Sequence, residues 1–291
     1  METVFQGIGD DAGALLRINL TYLWRHRRLP NLADPTLFTE LVQLRKLRDR
    51  DLRMPAMADK VAVKALVAAR LGRAWVVPTL WHGTTLPEQS RWTSPIVVKS
   101  RHGCNQNLFL PDGGAAEWPA VWRRAAAWLR ASYGGWLDEW LYTQIPRGTL
   151  IEPFVGADGQ LPIDYKFYVF GGRVSHVQVH LDRAHHHRWV VHDPDWVPLA
   201  NGAPRLPRPS ALREMIAAAE ELASNMDFAR VDLYQPGAQP LFGEVSFYPG
   251  SGLDRFDPPA LDAAMGALWL RAGGHRLVTR QPAPTTIEVA V

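Results

Sequence analysis

The chain contains 291 residues, of which 47% are hydrophobic and 21% are charged, and its formal net charge is +3. This composition is ordinary for a globular protein, and the length allows one large domain or two interlocked ones. The positive charge comes from scattered arginines rather than from a Lys/Arg block, which argues against a nucleic-acid partner. The chain is instead suited to anionic small molecules such as nucleotides.

Cysteine content and hydropathy favour a cytoplasmic protein. Cys104 is the single cysteine, so an intrachain disulfide and a cysteine metal site are both excluded. No run of about 18 apolar residues is present, and the first residues lack the basic and then apolar order of a signal peptide. We therefore expect a reducing compartment, with the cytoplasm as the default. The sequence leaves the oligomeric state open.

The first 55 or so residues read as helices broken by Pro30, Pro35 and Pro55. Within them, residues 15–28 mix apolar and basic side chains. Such a segment could rest on a membrane surface as a peripheral contact. We favour a helix docked on the core, because amphipathicity alone does not separate the two cases and docked helices are commoner.

The next part of the chain alternates helix and strand signals. Asp59–Gly72 predicts a helix that ends at its glycine, and Ala74–Leu80 predicts a strand. Pro95–Lys99 is a short buried strand by its β-branched residues, and Leu108–Leu110 is another, with a polar loop between them. Residues 119–140 then carry Ala, Trp and Leu at helical spacing. Their tryptophans could stack sugars, but a core role is expected.

The second half of the chain reads as strands around one helix. Leu150–Val155 is a strand, and Asp164–Phe170 and Arg173–His180 form a hairpin closed by Gly171-Gly172. A helix follows at Ser210–Asn225, with Ser210 as its N-cap. The strands Ala229–Tyr234 and Pro240–Phe247 come after it. The last residues are rich in Pro and Thr, and we expect them to be loosely ordered.

The strongest local signal is the hairpin formed by these last two strands. If Ala238 is the centre of the turn, Asp232 lies opposite Glu244 and Arg230 lies opposite Ser246. All four side chains then share one face, while apolar residues occupy the other. Two carboxylates, an arginine and a hydroxyl on one face suit a magnesium phosphate site, because Mg²⁺ prefers carboxylate and phosphate oxygens. The alternative is a surface hairpin with a cross-strand ion pair.

A second signal is Lys99, which ends an apolar strand and is followed by the loop SRHGCNQN. A lysine at this place can extend over the loop, and Gly103 allows backbone amides to approach phosphate oxygens. Lys60 and Lys166 add positive charge from other elements. Each of these features is weak when taken alone.

The order of these motifs resembles the ATP-grasp superfamily and, within it, the TupA-like family associated with teichuronopeptide and other surface-polymer biosynthesis. The resemblance covers residues 59–270. It is carried by DKVAVKALV, IVVKSRHGCNQN, IEPFVG, DYKFYVFGGRVSHVQVHLDR, PSALREMIAAAEELA, FARVDLY and FGEVSFYPGSG. The implied fold class is α+β, an ATP-grasp fold with two α+β lobes that clasp the nucleotide. The implied segments are a helical extension (1–57), a small lobe (58–155), a large lobe with the metal hairpin (156–275) and a tail (276–291).

The resemblance also implies a role for individual residues, with ATP and Mg²⁺ as the cofactors. Asp232, Glu244 and Ser246 would be the metal ligands, although many members have asparagine where Ser246 stands. Arg230 would steer the transferred phosphate, and Arg183 would stabilise the acyl phosphate or bind the acceptor. The implied nucleotide contacts are the phosphate-binding Lys60, Lys99 and Lys166, the covering loop with His102, Gly103 and Asn105, the adenine hinge Glu152, Pro153, Phe154 and Val155, and Asp164 near the ribose.

The implied reaction is ATP-dependent ligation of a small-molecule carboxylate to an amine through an acyl phosphate, on substrates that can be linked to a saccharide. Two other readings stay open. The same groups would serve a kinase that phosphorylates a sugar or another polar acceptor, and the fold could also be a non-catalytic nucleotide-binding module. We discount a zinc site at His185–His187, because adjacent histidines cannot all face one ion. We also discount Cys104 as a nucleophile.

Overall fold

The computed structural model describes residues 2–131, 133–156, 160–181, 188–200 and 202–279, without the side chains of residues 2–11 and 188. The described chain forms two compact units. One contains the residues up to Arg50 together with those from Tyr248 onward, and the other contains Asp51–Phe247. The C-terminal helices therefore pack with the N-terminal helices. The segment boundaries stated above stay predictions.

The secondary structure alternates short helices with antiparallel strands. The helices are α1 (Glu2–His26), α2 (Phe38–Arg48), α3 (Arg53–Ala58), α4 (Ala62–Leu71), α5 (Trp118–Arg130), α6 (Trp140–Thr143), α7 (Leu212–Leu222), α8 (Ala260–Trp269) and α9 (His275–Thr279). The strands are β1 (Trp81–Gly83), β2 (Ile96–Ser100), β3 (Asn107–Leu110), β4 (Thr149–Pro153), β5 (Asp164–Phe170), β6 (Arg173–Leu181), β7 (Arg188–His192), β8 (Phe228–Tyr234) and β9 (Leu241–Ser246). Within the described chain, no helix is both long and apolar enough to span a membrane.

In the first unit, α1 docks on α2 through one face. Ile18 and Tyr22 are buried there, and the Tyr22 hydroxyl lies 2.9 Å from Thr39 Oγ1. Asp262 of α8 accepts hydrogen bonds from the backbone N–H and the hydroxyl of Thr39, at 2.9 and 2.7 Å. This carboxylate thereby satisfies a free N–H in the first turn of α2. The docked helix expected from residues 15–28 is observed on this face.

The PGSG sequence at residues 249–252 forms a turn that α2 holds in place. Gly250, Ser251 and Gly252 all have positive φ, of 51°, 58° and 67°. The Ser251 carbonyl accepts hydrogen bonds from Gln43 Nε2 at 2.9 Å and from Lys46 Nζ at 2.8 Å. Because left-handed backbone costs energy for a residue with a Cβ, these contacts explain how Ser251 is kept in it.

In the second unit, a four-stranded sheet has the order β1-β4-β2-β3 and all its pairs are antiparallel. Its core is packed against α5. Trp118 and Trp128 of α5 are buried, which confirms the expected core role for these two, whereas Trp122 and Trp136 are exposed. The main members of this core are Ile96, Val98, Leu110, Trp118, Val121, Ala125, Trp128 and Ile151.

A five-stranded antiparallel sheet has the order β7-β6-β5-β8-β9. Helix α7 packs on it and buries Met215, Ala219 and Leu222. The β5–β6 hairpin turns at Gly171 and Gly172, whose φ values are 55° and 78°. Two successive positive φ values are what a tight hairpin turn requires, so the predicted turn is confirmed.

Three local predictions were wrong. Residues 74–80 do not form a strand: a 3-10 turn spans Arg73–Trp75, and the strand begins at Trp81. Pro78 lacks the N–H that a ladder would need, which explains the interruption. Pro55 does not break a helix, because it lies in the first turn of α3, where a backbone N–H, which proline lacks, would have no intrahelical partner.

The third wrong prediction concerns the start of α7. The residue at its N-cap is Ala211, which makes no side-chain cap. Ser210 lies one position too early, and its hydroxyl accepts a hydrogen bond from Gln235 Nε2 instead. The helix itself is present, at Leu212–Leu222.

We predict that Gly266→Ala destabilises the protein, although alanine is the better helix former by about 1 kcal/mol. A Cβ at Gly266 of α8 would lie 2.1 Å from the Thr36 carbonyl oxygen. We expect a loss of about 1–3 kcal/mol in the free energy of unfolding, as in other overpacked cores. Denaturant unfolding measures this loss.

Gly237→Ala is the matched control. A Cβ at Gly237 meets no atom within 4 Å, and its φ is not positive. Its unfolding free energy should change by less than about 0.5 kcal/mol. A Gly266→Ala protein as stable as this control would contradict the close packing described for α8.

Candidate functional site

The β8–β9 hairpin has the register predicted from the sequence. Asp232 pairs with Glu244, and Arg230 pairs with Ser246. A bulge between Asp232 and Leu233 then shifts the register toward the turn, with Leu233 opposite Phe242. The bulge favours glycine at position 243, since a Cβ there would lie only 2.9 Å from the Asp232 carbonyl oxygen. The hairpin therefore delivers Arg230, Asp232 and Glu244 to one face.

Asp232 is the centre of a buried ion cluster on that face. Its side chain is 1% exposed. Arg230 donates to both of its carboxylate oxygens, with Nε to Oδ1 and Nη2 to Oδ2 at 2.7 Å each. Lys166 of β5 also donates to Oδ2 and forms an ion pair with Asp164 at 2.6 Å. Four of the sequence-predicted residues, Asp164, Lys166, Asp232 and Arg230, are thus linked by a chain of direct contacts.

Charge pairing sets the ionisation of this cluster. Burial alone would raise the pKa of Asp232, but the charges of Arg230 and Lys166 outweigh it and hold the pKa below its ordinary value. Burial opposes the charged form of Arg230, yet Asp232 raises the pKa of Arg230 well above its ordinary value. Both groups are therefore charged at neutral pH.

Glu244 is the least compensated carboxylate of the cluster. Its Oε1 lies 3.6 Å from Arg230 Nη2, and its side chain is 32% exposed. Among the ion pairs given for the described residues, the three carboxylates Asp164, Asp232 and Glu244 pair with two cations, Lys166 and Arg230 (−3 + 2 = −1). An accessible carboxylate in such a cluster favours a bound cation.

The oxygen donors of the hairpin fit Mg²⁺ in chemical type. Asp232 and Glu244 supply carboxylates, and Ser246, which is 6% exposed, supplies a hydroxyl. No group of three or more His, Cys, Asp or Glu side chains that could hold a metal is found among the described residues. A magnesium site can have only one or two carboxylates, with nucleotide phosphates and water completing it.

A second ion cluster lies on the four-stranded sheet, around Glu152 of β4. Lys99 Nζ lies 2.6 Å from Glu152 Oε2, and Lys64 of α4 pairs with Oε1. Burial alone would raise the pKa of Glu152, but Lys99 and Lys64 keep it below its ordinary value. Sequence reasoning missed Lys64. Its position four residues after Lys60, one helical turn on, was the signal that could have found it.

Asp59 ties the start of α4 to the polar loop after β2. Its carboxylate accepts hydrogen bonds from the N–H groups of Val61 and Ala62, at 2.9 and 3.2 Å, and it binds Arg101 through Nε at 2.8 Å. Lys60 donates to the carbonyl of Gly103 in the same loop. This pairing places Lys60 beside the loop, as the nucleotide assignment requires.

The loop residues divide into buried and exposed positions. His102 is 2% exposed; its Nδ1 accepts from the Gly148 N–H at 3.4 Å and its Nε2 lies 3.3 Å from the Trp128 carbonyl. Burial lowers the pKa of His102, so a neutral ring that shapes the loop fits these contacts. Asn105 is exposed and has a positive φ of 55°.

The charges that act on Cys104 relate this loop to the β8–β9 hairpin. Burial is the main cause that raises the pKa of Cys104 to about 11, and the Glu244 carboxylate is the next cause. Lys60 acts on the same thiol in the opposite direction. The loop, Lys60 and the hairpin carboxylate are therefore close enough to sense one another's charge.

The structure does not bring every predicted residue to this place. In the hinge, Pro153 has no N–H, and the Phe154 N–H already donates to the Pro95 carbonyl at 3.0 Å. Asp164 is buried and paired with Lys166. Arg183 and His185–His187 lie outside the described residues. The hinge and ribose assignments stay predictions.

Comparison with known proteins bears on this arrangement. The model of the TupA-like ATPgrasp family matches residues 149–270, which hold Glu152, the β5 residues and the whole β8–β9 hairpin. Over this region the chain matches the TupA-like ATP-grasp family. The resemblance inferred from the motifs is confirmed, and with the two antiparallel sheets it confirms the α+β ATP-grasp fold. No curated protein matches the chain in sequence.

Three solved structures match the chain at low identity, each with a TM-score below 0.5. D-alanine–D-alanine ligase from Bacillus anthracis, in complex with ATP, is 14% identical; the match covers 77% of this chain and 67% of that one, with a TM-score of 0.48. D-cycloserine synthetase DcsG is 16% identical, with 77% and 71% covered and a TM-score of 0.42. The ligase PsnB, in complex with Mg, ADP and a variant of its minimal precursor, is 11% identical, with 78% and 60% covered and a TM-score of 0.42.

We predict that Asp232→Asn lowers stability far more than Glu244→Gln. Loss of the Asp232 charge leaves Lys166 and Arg230 buried without their common partner, which should cost about 3 kcal/mol at pH 7. The partly exposed Glu244 should cost less than about 1 kcal/mol. Denaturant unfolding of both variants measures the contrast.

The pH dependence of that contrast follows from the lowered pKa of Asp232. A depressed carboxyl pKa stabilises the fold above the unfolded-state value of about 3.9, and this contribution disappears as the pH falls through the folded-state value. The deficit of Asp232→Asn should therefore shrink in acid. An equal deficit for both variants at pH 7 would contradict the ion cluster.

We also predict that Cys104 is a poor nucleophile. With a pKa of about 11, its thiol should react with iodoacetamide at pH 8 roughly a hundredfold more slowly than the same thiol in the urea-unfolded chain. Mass spectrometry of timed samples measures both rates. Comparable rates in the folded and unfolded chains would restore Cys104 as a catalytic candidate.

Proposed function

We propose that this protein is an ATP- and Mg²⁺-dependent ligase that joins a carboxylate to an amine through an acyl phosphate. The observation that carries the proposal is the placement of Asp232 and Glu244 on one face beside Lys166 and Arg230. The family match over residues 149–270 supports the same reading. Phosphoryl transfer needs few covalent groups from a protein, and charge placement of this kind is what it does need.

Two sets of cations are proposed to hold the nucleotide phosphates. Lys99 and Lys64 are held together by Glu152, and Lys60 lies at the loop that contains Gly103 and Asn105. This loop lies near Glu244, so phosphates under the loop would meet the metal carboxylates. The adenine hinge at residues 152–155 and the ribose contact of Asp164 belong to the same proposal.

The chemistry follows from the charges of the hairpin. A bound Mg²⁺ would neutralise the charge that develops on the transferred phosphoryl group. Arg230, oriented by two hydrogen bonds to Asp232, would steer that group toward the substrate carboxylate. Lys166 would contribute positive charge from β5, and Arg183 is proposed to act on the acyl phosphate or the acceptor. An amine then displaces phosphate, with no covalent intermediate on the chain.

The substrates are proposed from the family association alone. TupA-like proteins are linked to surface-polymer biosynthesis, so the carboxylate is proposed to belong to a polysaccharide or peptide precursor of the cell surface. The amine would be a small molecule such as an amino acid. The reaction would take place in the cytoplasm, where ATP is available.

We predict that ATP with Mg²⁺ raises the melting temperature, by roughly 5–10 °C at a hundredfold excess over Kd. ATP with a chelator should raise it much less. Glu244→Gln should melt close to the wild type without ligand and should lose the Mg²⁺-dependent part of the shift. The exposed Glu221→Gln on α7 is the matched control and should keep it. A full shift in Glu244→Gln would remove the metal assignment.

Product analysis separates the ligase from a kinase. A ligase releases free phosphate and ADP only when both a carboxylate and an amine are present, whereas a kinase leaves phosphate on its acceptor. Hydroxylamine can replace the amine, because it converts acyl phosphates into hydroxamates, which give coloured complexes with ferric ions. A phosphorylated acceptor with no hydroxamate would favour the kinase. Nucleotide binding without turnover on any carboxylate would favour a binding module.

A further inference from the structure

Helix α1 carries an apolar surface that its docking leaves uncovered. Leu16, Leu20, Leu23 and Trp24 are 60%, 56%, 42% and 68% exposed. Their spacing places them on one side of the helix, since residues three, four, seven and eight apart share a face. Exposed apolar residues that form a continuous patch mark an interaction surface, whereas single ones do not.

The opposite side of α1 is already used for folding. Ile18 and Tyr22 are 2% and 0% exposed, and the Tyr22 ring stacks on His26 with 4.1 Å between the ring centroids. The helix is therefore anchored to α2 by one face and presents the other to solvent. An apolar stripe that is not needed for this docking calls for another partner.

The charged residues of the segment 12–33, which carries this stripe, have one sign. Residues 12–33 contain four arginines and no Asp or Glu, while the whole chain is nearly balanced, with 32 basic and 29 acidic residues. Arg25 and Arg27 are exposed beside Trp24, and Arg27 has φ 62° just after the helix ends. Arg28 is half exposed and paired with Glu40 at 2.7 Å. The outer α1 surface, defined here as Leu16, Leu20, Leu23, Trp24, Arg25 and Arg27, is thus apolar and basic.

We propose that the outer α1 surface binds the surface of an anionic phospholipid bilayer. Such a bilayer supplies both parts of the complement, with acyl chains for the leucines and negative headgroups for the arginines. Tryptophan is enriched at the boundary between these two layers, which is where Trp24 would lie. The contact is peripheral and reversible, because it involves one face of one helix.

Charge decides between this occupant and a second copy of the chain. The outer α1 surface has no carboxylate of its own, so two copies of it would meet with like charges and without ion pairs. An anionic bilayer instead gains from each exposed arginine, by about fivefold in binding per charge. The proposal is independent of the ligase chemistry and does not require it.

Flotation of the full-length protein with phospholipid vesicles tests the proposal. We expect binding to vesicles of phosphatidylcholine mixed with phosphatidylglycerol, little binding to phosphatidylcholine alone, and a marked loss in high salt. Arg27→Gln should weaken binding by about fivefold, in line with the loss of one interfacial charge. Arg213→Gln, an exposed arginine on α7, should leave binding unchanged.

Leu20→Glu tests the apolar part of the surface. Leu20 is exposed, so the change should leave the melting temperature near that of the wild type and should abolish flotation with anionic vesicles. Leu52→Glu is the matched control, because Leu52 is 75% exposed and lies away from α1 in the sequence. It should float like the wild type.

Three results would overturn the proposal. One is equal binding to neutral and anionic vesicles. Another is equal loss of binding in Leu20→Glu and Leu52→Glu. The last is a wild-type protein that does not float but is dimeric by light scattering and becomes monomeric with Leu20→Glu, which would assign the surface to a second copy of the chain.

Discussion

The candidate site depends on one buried carboxylate, that of Asp232. It accepts hydrogen bonds from Arg230 on both oxygens and from Lys166 on one, and almost none of it is exposed. A buried ion pair adds little net stability when it is complete, yet it costs several kcal/mol when one partner is lost. Arg230 and Lys166 are therefore held in fixed positions by the same group. β5, β8 and β9 each contribute a charged side chain to this cluster. The order of these strands in the sheet therefore sets the positions of the charges.

The same device appears on the other sheet, where Glu152 holds Lys64 and Lys99. In both clusters a single carboxylate keeps two cations close together in spite of their mutual repulsion. Around Glu152, two cations face one carboxylate, so this cluster can receive an anion with little reorganisation, which is the condition for strong electrostatic stabilisation in a site. Asp59 adds a mechanical link, because it accepts hydrogen bonds from the N–H groups of Val61 and Ala62 at the start of α4 and also binds Arg101 in the polar loop. Lys60 lies directly after Asp59, and Lys64 lies in the first turn of α4.

The sequence predicted those parts of the site that local periodicity controls. The pairing of Asp232 with Glu244 followed from the alternation of side chains and a short turn between two apolar runs, and the structure has that pairing. The bulge at Gly243 did not follow, since a glycine in a strand has several possible uses. The link between Asp59 and Arg101, 42 residues apart, and the pairing of Lys64 with Glu152 depend on tertiary contacts that one sequence does not reveal. Ala74–Leu80 shows the opposite error, in which an apolar run suggested a strand that Pro78 prevents.

Helix α1 shows why amphipathicity alone could not settle the role of residues 15–28. The helix has apolar residues on two sides. Its overall amphipathicity therefore does not distinguish the side that docks from the side that faces solvent. The structure separates them, because Ile18 and Tyr22 face α2 while Leu16, Leu20 and Trp24 face solvent. From the sequence, docking on the core and binding to a membrane surface were two alternatives for residues 15–28. The two faces of the helix allow both at once. A helix that folds with one side keeps the other side available, and the arginines around that side decide which partner fits it.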